Sequence, residues 1–287
     1  MYYICTMSVL LIDQLKEYIP NLSNTDDWEV TWNIFDNENI GCSTSSTRSN
    51  FECTPNTDRT IDELVFINQV CKIYSDLLIG VTLQYLEVGT YFGASAISAC
   101  INNDHVKAWT IDTHDEDGRL FYRGTEMNQY SDGVKEPNAL DSLKNNIQRF
   151  IDDKYISKDS IVLINKNSHE ILESDLTEKG LNSDQGINVF FYDGCDGGEY
   201  GDSPEKVECN IQIISDTFAK IIPLMSDVCI CIFDQKTVSE RKPNLSCLFK
   251  EVLGEKFTPE QFKEVSCNLP KSCGSSQFHC YLLKKNR

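Results

Sequence analysis

Four acidic residues end short apolar runs, and they carry most of the chemistry that the sequence offers. The runs are LQYLE, closing at Glu87, VKAWTID, closing at Asp112, INVFFYD, closing at Asp193, and VCICIFD, closing at Asp234. Mostly apolar runs of this length are typical of buried parallel strands, whose carboxyl ends gather at one ligand-binding edge of a sheet. Asp112, 25 residues after Glu87, suits the ribose hydroxyls of a nucleoside. The spacing therefore predicts one site that several strand ends build together.

A glycine turn follows the first of these runs, in the stretch YLEVGTYFGASAIS at residues 85–98. Gly89 can adopt positive φ or allow close approach of a ligand, and Gly93 permits tight entry into a helix. The free N–H groups of that helix would face the ligand. A pyrophosphate calls for GxGxxG, but the pattern here is GxxxG, with Glu87 near the phosphate position. A carboxylate repels phosphate and suits an amino group beside a sulfonium, so the turn favours S-adenosylmethionine over a dinucleotide.

The elements that must position these residues become regular from residue 60 onward. Thr60 and Glu63 form a predicted capping box, and apolar residues then recur at helical spacing up to Gly80. Helical and strand-like segments alternate beyond that point, which predicts an α/β doubly wound, mostly parallel sheet with helices on both faces. The last two strands, near residues 264–267 and 277–284, have no helix between them, so we expect one of them to run antiparallel.

Two regions follow from the composition along the chain. We predict an N-terminal extension or flap at residues 1–60 and a catalytic domain at residues 61–287. The polar stretch at residues 24–58 predicts an exposed loop rather than core. Within it, Trp28 and Trp32 are predicted to pack onto the domain surface, and covering a pocket is the alternative interpretation.

Charge and cysteine usage exclude several classes of function. The net charge of −18 disfavours nucleic acid and anionic membranes, because phosphate groups are bound by clustered Lys and Arg. A neutral or cationic small molecule fits better, and the sequence does not predict an oligomeric state. The 13 cysteines fall mostly in apolar runs and form no CxxC, which argues against a disulfide framework or a zinc site. We therefore expect a reduced, cytoplasmic protein without membrane spans.

The segment at residues 87–95, EVGTYFGAS, resembles the E-(L/I/V)-G-x-Y-x-G-x-S signature of class I S-adenosylmethionine-dependent methyltransferases. It is most similar to the catechol O-methyltransferase-like branch with its bacterial small-molecule relatives. The resemblance covers roughly residues 62–285, and only this first motif is specific. It implies a seven-stranded sheet and a cofactor bound by Glu87, Gly89, Tyr91, Gly93, Ser95 and Asp112. No acidic residue for the adenine amine follows the third strand, so Asn167, Ser168 or backbone groups are the candidates there.

The same branch contains members that hold a divalent metal with an acid ending the fourth strand and an acid–amide pair ending the fifth. The corresponding positions here are Asp193 and the pair Asp234 and Gln235. These hard oxygen ligands suit Mg²⁺, and a metal bound by two substrate hydroxyls would lower their pKa and orient one oxygen. Orientation matters because methyl transfer is an in-line displacement. The resemblance therefore implies metal-assisted O-methylation.

One catalytic position departs from the pattern. Relatives carry Lys or His three positions after the fourth-strand acid, where this chain has Asp196. Asp196 or Glu199 is a candidate replacement base or further metal ligand, and a flexible acidic loop is the alternative interpretation. His114 and His169 are further candidates to reach the pocket, although each is also consistent with a surface position.

The leading hypothesis is an S-adenosylmethionine-dependent methyltransferase, acting on an oxygen of a small molecule or glycan and assisted by Mg²⁺. A second hypothesis is a degenerate member that binds the cofactor or a partner without catalysis, because the basic residue is missing. A third is an NAD-dependent oxidoreductase, against which the GxxxG spacing counts. The fold alone does not decide among them, since doubly wound sheets host many functions.

Overall fold

The computed structural model describes residues 2–38, 40, 60–90, 93–113, 121–122, 125–126, 139–194, 204–235, 245–266, 269 and 277–285. The candidate residues Tyr91, His114, Asp196 and Glu199 lie outside these ranges. Side chains of some residues inside helices and strands, among them Asp234 and Gln235, also lie outside the description.

The N-terminal region is helical and belongs to the core. Helix α1 (Tyr2–Tyr18) leads through a 3-10 turn (Ile19–Asn24) into α2 (Asp26–Asn37). The exposed loop predicted for residues 24–58 is therefore wrong over α2, where Trp28 is 5% exposed and Phe35 is 0% exposed. Trp28, Trp32 and Phe35 lie four and three positions apart and form a helical stripe. Val30 and Ile34 fall between them, so apolar residues alternate along this segment and obscure the helical period.

Helix α3 (Ile61–Leu77) begins as its sequence predicts. The Glu63 amide donates to Thr60 Oγ1 over 3.3 Å, and the Thr60 amide donates to Glu63 Oε2 over 2.9 Å. This reciprocal capping box satisfies two backbone donors that the first helical turn leaves without helical partners.

Seven strands form one mixed sheet: β1 (Leu83–Val88), β2 (Val106–Asp112), β5 (Ile161–Asn165), β6 (Ile187–Tyr192), β7 (Met225–Gln235), β8 (Phe262–Val265) and β9 (Gln277–Lys284). Their order across the sheet is β5-β2-β1-β6-β7-β9-β8. A separate two-stranded ribbon pairs β3 (Phe121–Tyr122) with β4 (Thr125–Glu126). Strands β5, β2, β1, β6 and β7 are parallel, and β9 runs antiparallel to both of its neighbours.

Two strand bounds differ from the sequence predictions. Strand β7 begins at Met225, three residues earlier than expected, because the polar residues Ser226 and Asp227 precede its apolar run. Strand β8 begins at Phe262 instead of near residue 264. Both differences lie far from the carboxyl edge at which the site is expected.

Helices cover both faces of the sheet. Helices α1 to α3, α4 (Ala94–Cys100) and α5 (Ala139–Asp152) share one hydrophobic cluster with the first face. Helices α6 (Glu173–Thr177), α7 (Pro204–Ile221) and α8 (Leu245–Lys256) contribute to the cluster on the second face. This arrangement, with its antiparallel β9, confirms the predicted fold class: a doubly wound, mostly parallel, seven-stranded α/β sheet of Rossmann-like topology with helices on both faces.

Five of the cysteines are buried and free, and they pack as small apolar side chains: Cys71, Cys100, Cys229, Cys231 and Cys280. Within the described residues, no helix combines the length and apolarity needed to cross a bilayer.

Candidate functional site

The site lies where the strand order reverses. Strand β1 has β2 on one side and β6 on the other. The strands that follow β1 in the chain first extend the sheet on the β2 side, and from β6 onward they extend it on the opposite side. Ligands of open α/β sheets bind in the crevice at such a switch point, at the carboxyl ends of the strands. The Gly89 amide donates to Ile111 O over 2.9 Å, and the Asp193 amide donates to Val88 O over 2.9 Å. These two bonds hold the ends of β1, β2 and β6 side by side.

Gly89 is required at the end of β1 for two reasons. Its φ is +88°, in the left-handed region that disfavours L side chains, and a Cβ there would lie 2.3 Å from the Asp193 carbonyl oxygen. The contact joins two backbones, so a side chain at this position would separate β1 from β6. Of the two roles considered for Gly89, the positive φ is therefore the one that the structure shows.

Gly93 fixes the other end of the turn. Its φ is +89°, and its amide donates to Thr90 O over 2.8 Å. A Cβ on Gly93 would lie 2.5 Å from Leu143 Cδ1 of α5, so the helix that crosses from β2 to β5 packs directly against the turn. The entry into α4 is thus tight, as the sequence predicts.

Glu87 lies beneath this turn and is 0% exposed. Burial raises the pKa of its carboxyl to about 7, although the hydroxyls of Ser95 and Tyr85 oppose the rise. The Tyr85 hydroxyl donates to Glu87 Oε2 over 2.9 Å. Glu87 Oε1 and Thr90 Oγ1 are buried and have no partner at hydrogen-bonding geometry within the described part of the chain. Two buried polar oxygens below the turn are therefore available to a donor.

Asp112 lies partly exposed at the end of β2, beside β1. Its Oδ1 accepts a hydrogen bond of 2.8 Å from the Thr113 amide, and its backbone carbonyl accepts one of 3.0 Å from the Lys166 amide. The Thr113 hydroxyl donates to Asn167 Oδ1 over 3.0 Å, which ties the loop after β2 to the loop after β5. The carboxylate is thus held at the crevice on the side opposite β6.

Ser168 lies just after β5, in a 3-10 turn with the half-buried His169. Its Oγ is 2.9 Å from Oγ1 of the buried Thr217 on α7. Because the Thr217 hydroxyl donates to Ile213 O over 2.8 Å, Ser168 is the donor of this pair. Its remaining capacity toward a ligand is as an acceptor, which suits an exocyclic amine.

The backbone register places the two expected metal positions at neighbouring strand ends. Tyr192 of β6 pairs with Phe233 of β7 in parallel, so Asp193 and Asp234 follow at the same level. Asp193 is partly exposed. The described residues contain no group of three or more His, Cys, Asp or Glu side chains that could hold a metal. The Asp234 and Gln235 side chains lie outside that set, so this metal site stays a prediction.

Tyr85 and Thr90 contribute to the site although the sequence did not single them out. Tyr85 lies two positions before Glu87 on the same strand, so both side chains point to the same face of the sheet. That i, i+2 relation was the available signal for Tyr85. Nothing comparable marks Thr90, whose burial depends on how the turn folds back over β1.

No known family model matches this sequence, and no curated protein matches it. Solved structures of similar topology include a putative RNA methyltransferase from Pyrococcus horikoshii, which has a TM-score of 0.47 and 9% identity and covers 91% of this chain and 99% of its own. Another is a putative caffeoyl-CoA O-methyltransferase from Staphylococcus aureus, with a TM-score of 0.44 and 14% identity, covering 94% of this chain and 99% of its own.

A third is the magnesium protoporphyrin IX methyltransferase from Synechocystis with bound S-adenosylmethionine, at a TM-score of 0.45 and 9% identity. It covers 91% of this chain and 98% of its own. Such distant likenesses do not decide what this chain does. Its activity must be inferred from its own residues.

Proposed function

We propose that this chain is an S-adenosylmethionine-dependent methyltransferase that acts on an oxygen of a small molecule or glycan. The observation that carries the proposal is the buried Glu87 carboxylate beneath a positive-φ glycine turn at the switch point. A pyrophosphate would place its anionic oxygens against this carboxylate, which is unfavourable. A ligand that presents an amino group and a sulfonium has the complementary charge.

The described residues fit the parts of this cofactor. Glu87 Oε1 and Thr90 Oγ1 lack partners in the described structure, and an ammonium group supplies the donors that buried oxygens need. Asp112, at the adjoining strand end, offers carboxylate oxygens to ribose hydroxyls. Ser168 offers an acceptor to the adenine amine, because its own hydroxyl hydrogen is already donated to Thr217 Oγ1 in a hydrogen bond. Tyr91, Gly93 and Ser95 complete the proposed contact set.

The chain's contribution to catalysis would be to bind and to orient. When bound, the sulfonium supplies an electrophilic methyl group, and an acceptor oxygen must approach it in line. Holding the two reacting groups close together and aligned lowers much of the activation barrier to such a displacement. We assign Asp193 to the acceptor side, since its amide is fixed to β1 by the bond to Val88 O. Asp196 is the proposed general base.

The proposal includes a bound Mg²⁺ that assists the transfer. Asp193, Asp234 and Gln235 would hold it, and their carboxylate and amide oxygens are the hard ligands that this ion prefers. The parallel register of β6 and β7 supports the assignment, since it places both acidic positions at one level. A bound Mg²⁺ would lower the pKa of a coordinated acceptor hydroxyl.

The acceptor class follows from charge. The net charge of −18 favours a neutral or cationic acceptor and makes nucleic acid an unfavourable partner. We keep cytoplasmic localisation as part of the proposal, on the grounds of cysteine usage.

Titration calorimetry with S-adenosylmethionine and S-adenosylhomocysteine tests the cofactor. We expect saturable binding that Asp112→Asn weakens about tenfold, through loss of charge-assisted hydrogen bonds. The matched control is Asp104→Asn, which alters an exposed loop aspartate before β2 and should bind as the wild type does. A folded protein that binds neither compound at millimolar concentration would sink the proposal, and binding of NAD instead would favour the oxidoreductase.

Transfer of labelled methyl groups to acceptors in a cell extract tests the reaction. We expect label to appear in small molecules or glycans, with less label for Asp193→Asn and Asp196→Asn. Cofactor binding without any transfer would favour the degenerate binding protein. Full transfer in the presence of a strong chelator would remove Mg²⁺ from the proposal without affecting the methyltransferase itself.

A further inference from the structure

Helix α4 holds the glycine turn in place, yet it has little stability of its own. It spans only seven residues, Ala94–Cys100, and isolated helices shorter than roughly 12 residues are marginal in water. Its N-terminus continues the turn directly, because the Ile97 amide donates to Gly93 O over 2.9 Å. Whatever fixes the position of α4 therefore also fixes the position of the turn over Glu87.

The last carbonyls of α4 are satisfied in part by residues just beyond the helix. The Ile101 amide donates to Ile97 O over 3.0 Å, and the Asn103 amide donates to Cys100 O over 3.1 Å. The side-chain amide of Asn103 donates to Ala99 O over 2.9 Å. Three of the four carbonyls that a helix end leaves open are thus paired locally.

The fourth carbonyl depends on a residue of another helix. Asn68, in the middle of α3 and only 2% exposed, donates its side-chain amide to Ser98 O over 2.7 Å and to Ile101 O over 2.9 Å. Asn103 Nδ2 in turn approaches Asn68 O at 3.3 Å. Asn68 therefore clamps the end of α4 to α3 through the buried interior, where an unpaired carbonyl is costly.

The clamp continues to the N-terminal helices. Asn68 Oδ1 accepts a hydrogen bond of 3.1 Å from Gln69 Nε2, and the same Gln69 nitrogen donates to Thr31 Oγ1 of α2 over 2.9 Å. Gln69 is 2% exposed. A chain of hydrogen bonds thus runs from α2 through α3 to the end of α4.

We propose that Asn68 is a positioning residue for the cofactor turn, and that Gln69 and Thr31 extend this role to the N-terminal helices. The inference rests on the proposed function, because the turn positioned here is the one assigned to S-adenosylmethionine. Without the hydrogen bonds from Asn68 to Ser98 O and Ile101 O, the C-terminal end of α4 would no longer be fixed to α3. The whole short helix could then shift, together with the glycine turn at its N-terminal end. A misplacement of about 1 Å is enough to weaken an aligned site severely.

Asn68→Asp is the direct test, because it keeps the size and the Oδ1 acceptor but removes the donor that faces two carbonyls. We expect the Kd of S-adenosylhomocysteine, measured by calorimetry well below the unfolding temperature, to rise about tenfold. The matched control is Tyr74→Phe on the same helix, which removes a buried hydrogen bond to Val228 O of β7 instead of to α4. It should lower the unfolding temperature and leave the Kd within about twofold of wild type.

A wild-type Kd for a folded Asn68→Asp variant would overturn the proposal. So would an equal rise in Kd for Tyr74→Phe, because general destabilisation would then explain the effect. Absence of binding by the wild-type protein would instead refute the proposed function, so the two failures are distinguishable.

Thr31→Val keeps the proposal testable if Asn68→Asp does not fold. It removes the acceptor for Gln69 at a partly buried position of α2 with almost no change of shape. We expect the Kd to rise about threefold and Thr31→Ser to restore it, since serine keeps the oxygen that Gln69 reaches. If Asn68→Asp does not fold, an unchanged Kd for Thr31→Val overturns the proposal. A rise that Thr31→Ser fails to reverse overturns it as well.

Discussion

Different kinds of interaction hold the helices against the two faces of the sheet. The face under α3 and α4 contains buried hydrogen-bonding groups, including Glu87, Asn68, Gln69 and Asn103. The face under α7 and α8 contains an aromatic cluster in which Phe233 and Phe249 stack with ring centroids 3.9 Å apart. Hydrogen bonds fix directions and distances, whereas apolar packing supplies most of the free energy of folding. The polar face adjoins the proposed cofactor turn, where position matters most.

We therefore expect changes on the aromatic face to reduce stability and spare ligand binding, and changes to the polar groups that hold the cofactor turn to alter both.

Phe218→Ala should give the largest effect. The Phe218 ring lies 5.6 Å from Phe190 and 5.6 Å from Phe233, measured between centroids, and it is fully buried. Its truncation should lower the free energy of unfolding by about 4 kcal/mol, measured by denaturant titration. The Kd of S-adenosylhomocysteine should not change, and Phe218→Leu should recover most of the stability. A rise in Kd together with the stability loss would contradict the separation of the two faces.

Glu87→Gln should change how stability depends on pH. Burial raises the pKa of Glu87 from 4.5 to about 7, so the folded protein keeps a proton that the unfolded chain releases above pH 4.5. The stabilisation is therefore complete below pH 4.5 and falls as the pH rises toward 7, by about 3 kcal/mol. Unfolding titrations across this range should show a flatter profile for Glu87→Gln.

Asp104→Asn serves as the matched control for that measurement, because it removes an exposed carboxyl and should retain the wild-type slope. Identical slopes for wild type and Glu87→Gln would mean that the pKa of Glu87 is the same in the folded and the unfolded protein.

Gly89→Ala should cost about 2 kcal/mol through its left-handed φ, and it should also weaken S-adenosylhomocysteine binding. The added Cβ meets the Asp193 carbonyl at 2.3 Å, so the strand ends must separate. Gly254→Ala in α8 is the control, since no atom lies within 4 Å of its Cβ and alanine favours helix. Equal effects at the two glycines, by thermal unfolding and calorimetry, would contradict the geometry of the turn.

Thr60→Ala should have the smallest effect. It removes the side-chain half of the capping box that starts α3 and should cost about 1 kcal/mol of unfolding free energy. Thr60→Ser should match the wild type in the same denaturant titration. A negligible loss for Thr60→Ala would show that tertiary packing alone determines where α3 begins.

Much of the fold was predictable from local sequence. Strands β1, β2, β5 and β6 are runs of apolar residues, and the Thr60 capping box has an explicit signature. The glycine turn was also readable, because positive φ limits the choice of residue. Helix α2 was not predictable, because its apolar residues alternate with polar and acidic ones and do not show a clear helical period.

The supporting residues of the site could not be predicted in this way. Asn68 and Ser98 are 30 positions apart, and only the packing of α3 against α4 brings them together. A polar residue within an apolar helical stripe was the sole local hint. The pKa of Glu87 likewise depends on complete burial, which a strand pattern does not specify.

The contact between Gly93 and Leu143 has a consequence for how this protein changes over time. A Cβ at Gly93 meets the tip of the Leu143 side chain at 2.5 Å, and that neighbour lies 50 positions away on another helix. The Leu143 tip is flexible and can give way, but the φ of +89° at position 93 disfavours every L side chain whatever the space around it. A shorter residue at 143 would therefore remove the contact without admitting a larger residue at 93, so we expect position 143 to vary among related chains while position 93 stays glycine.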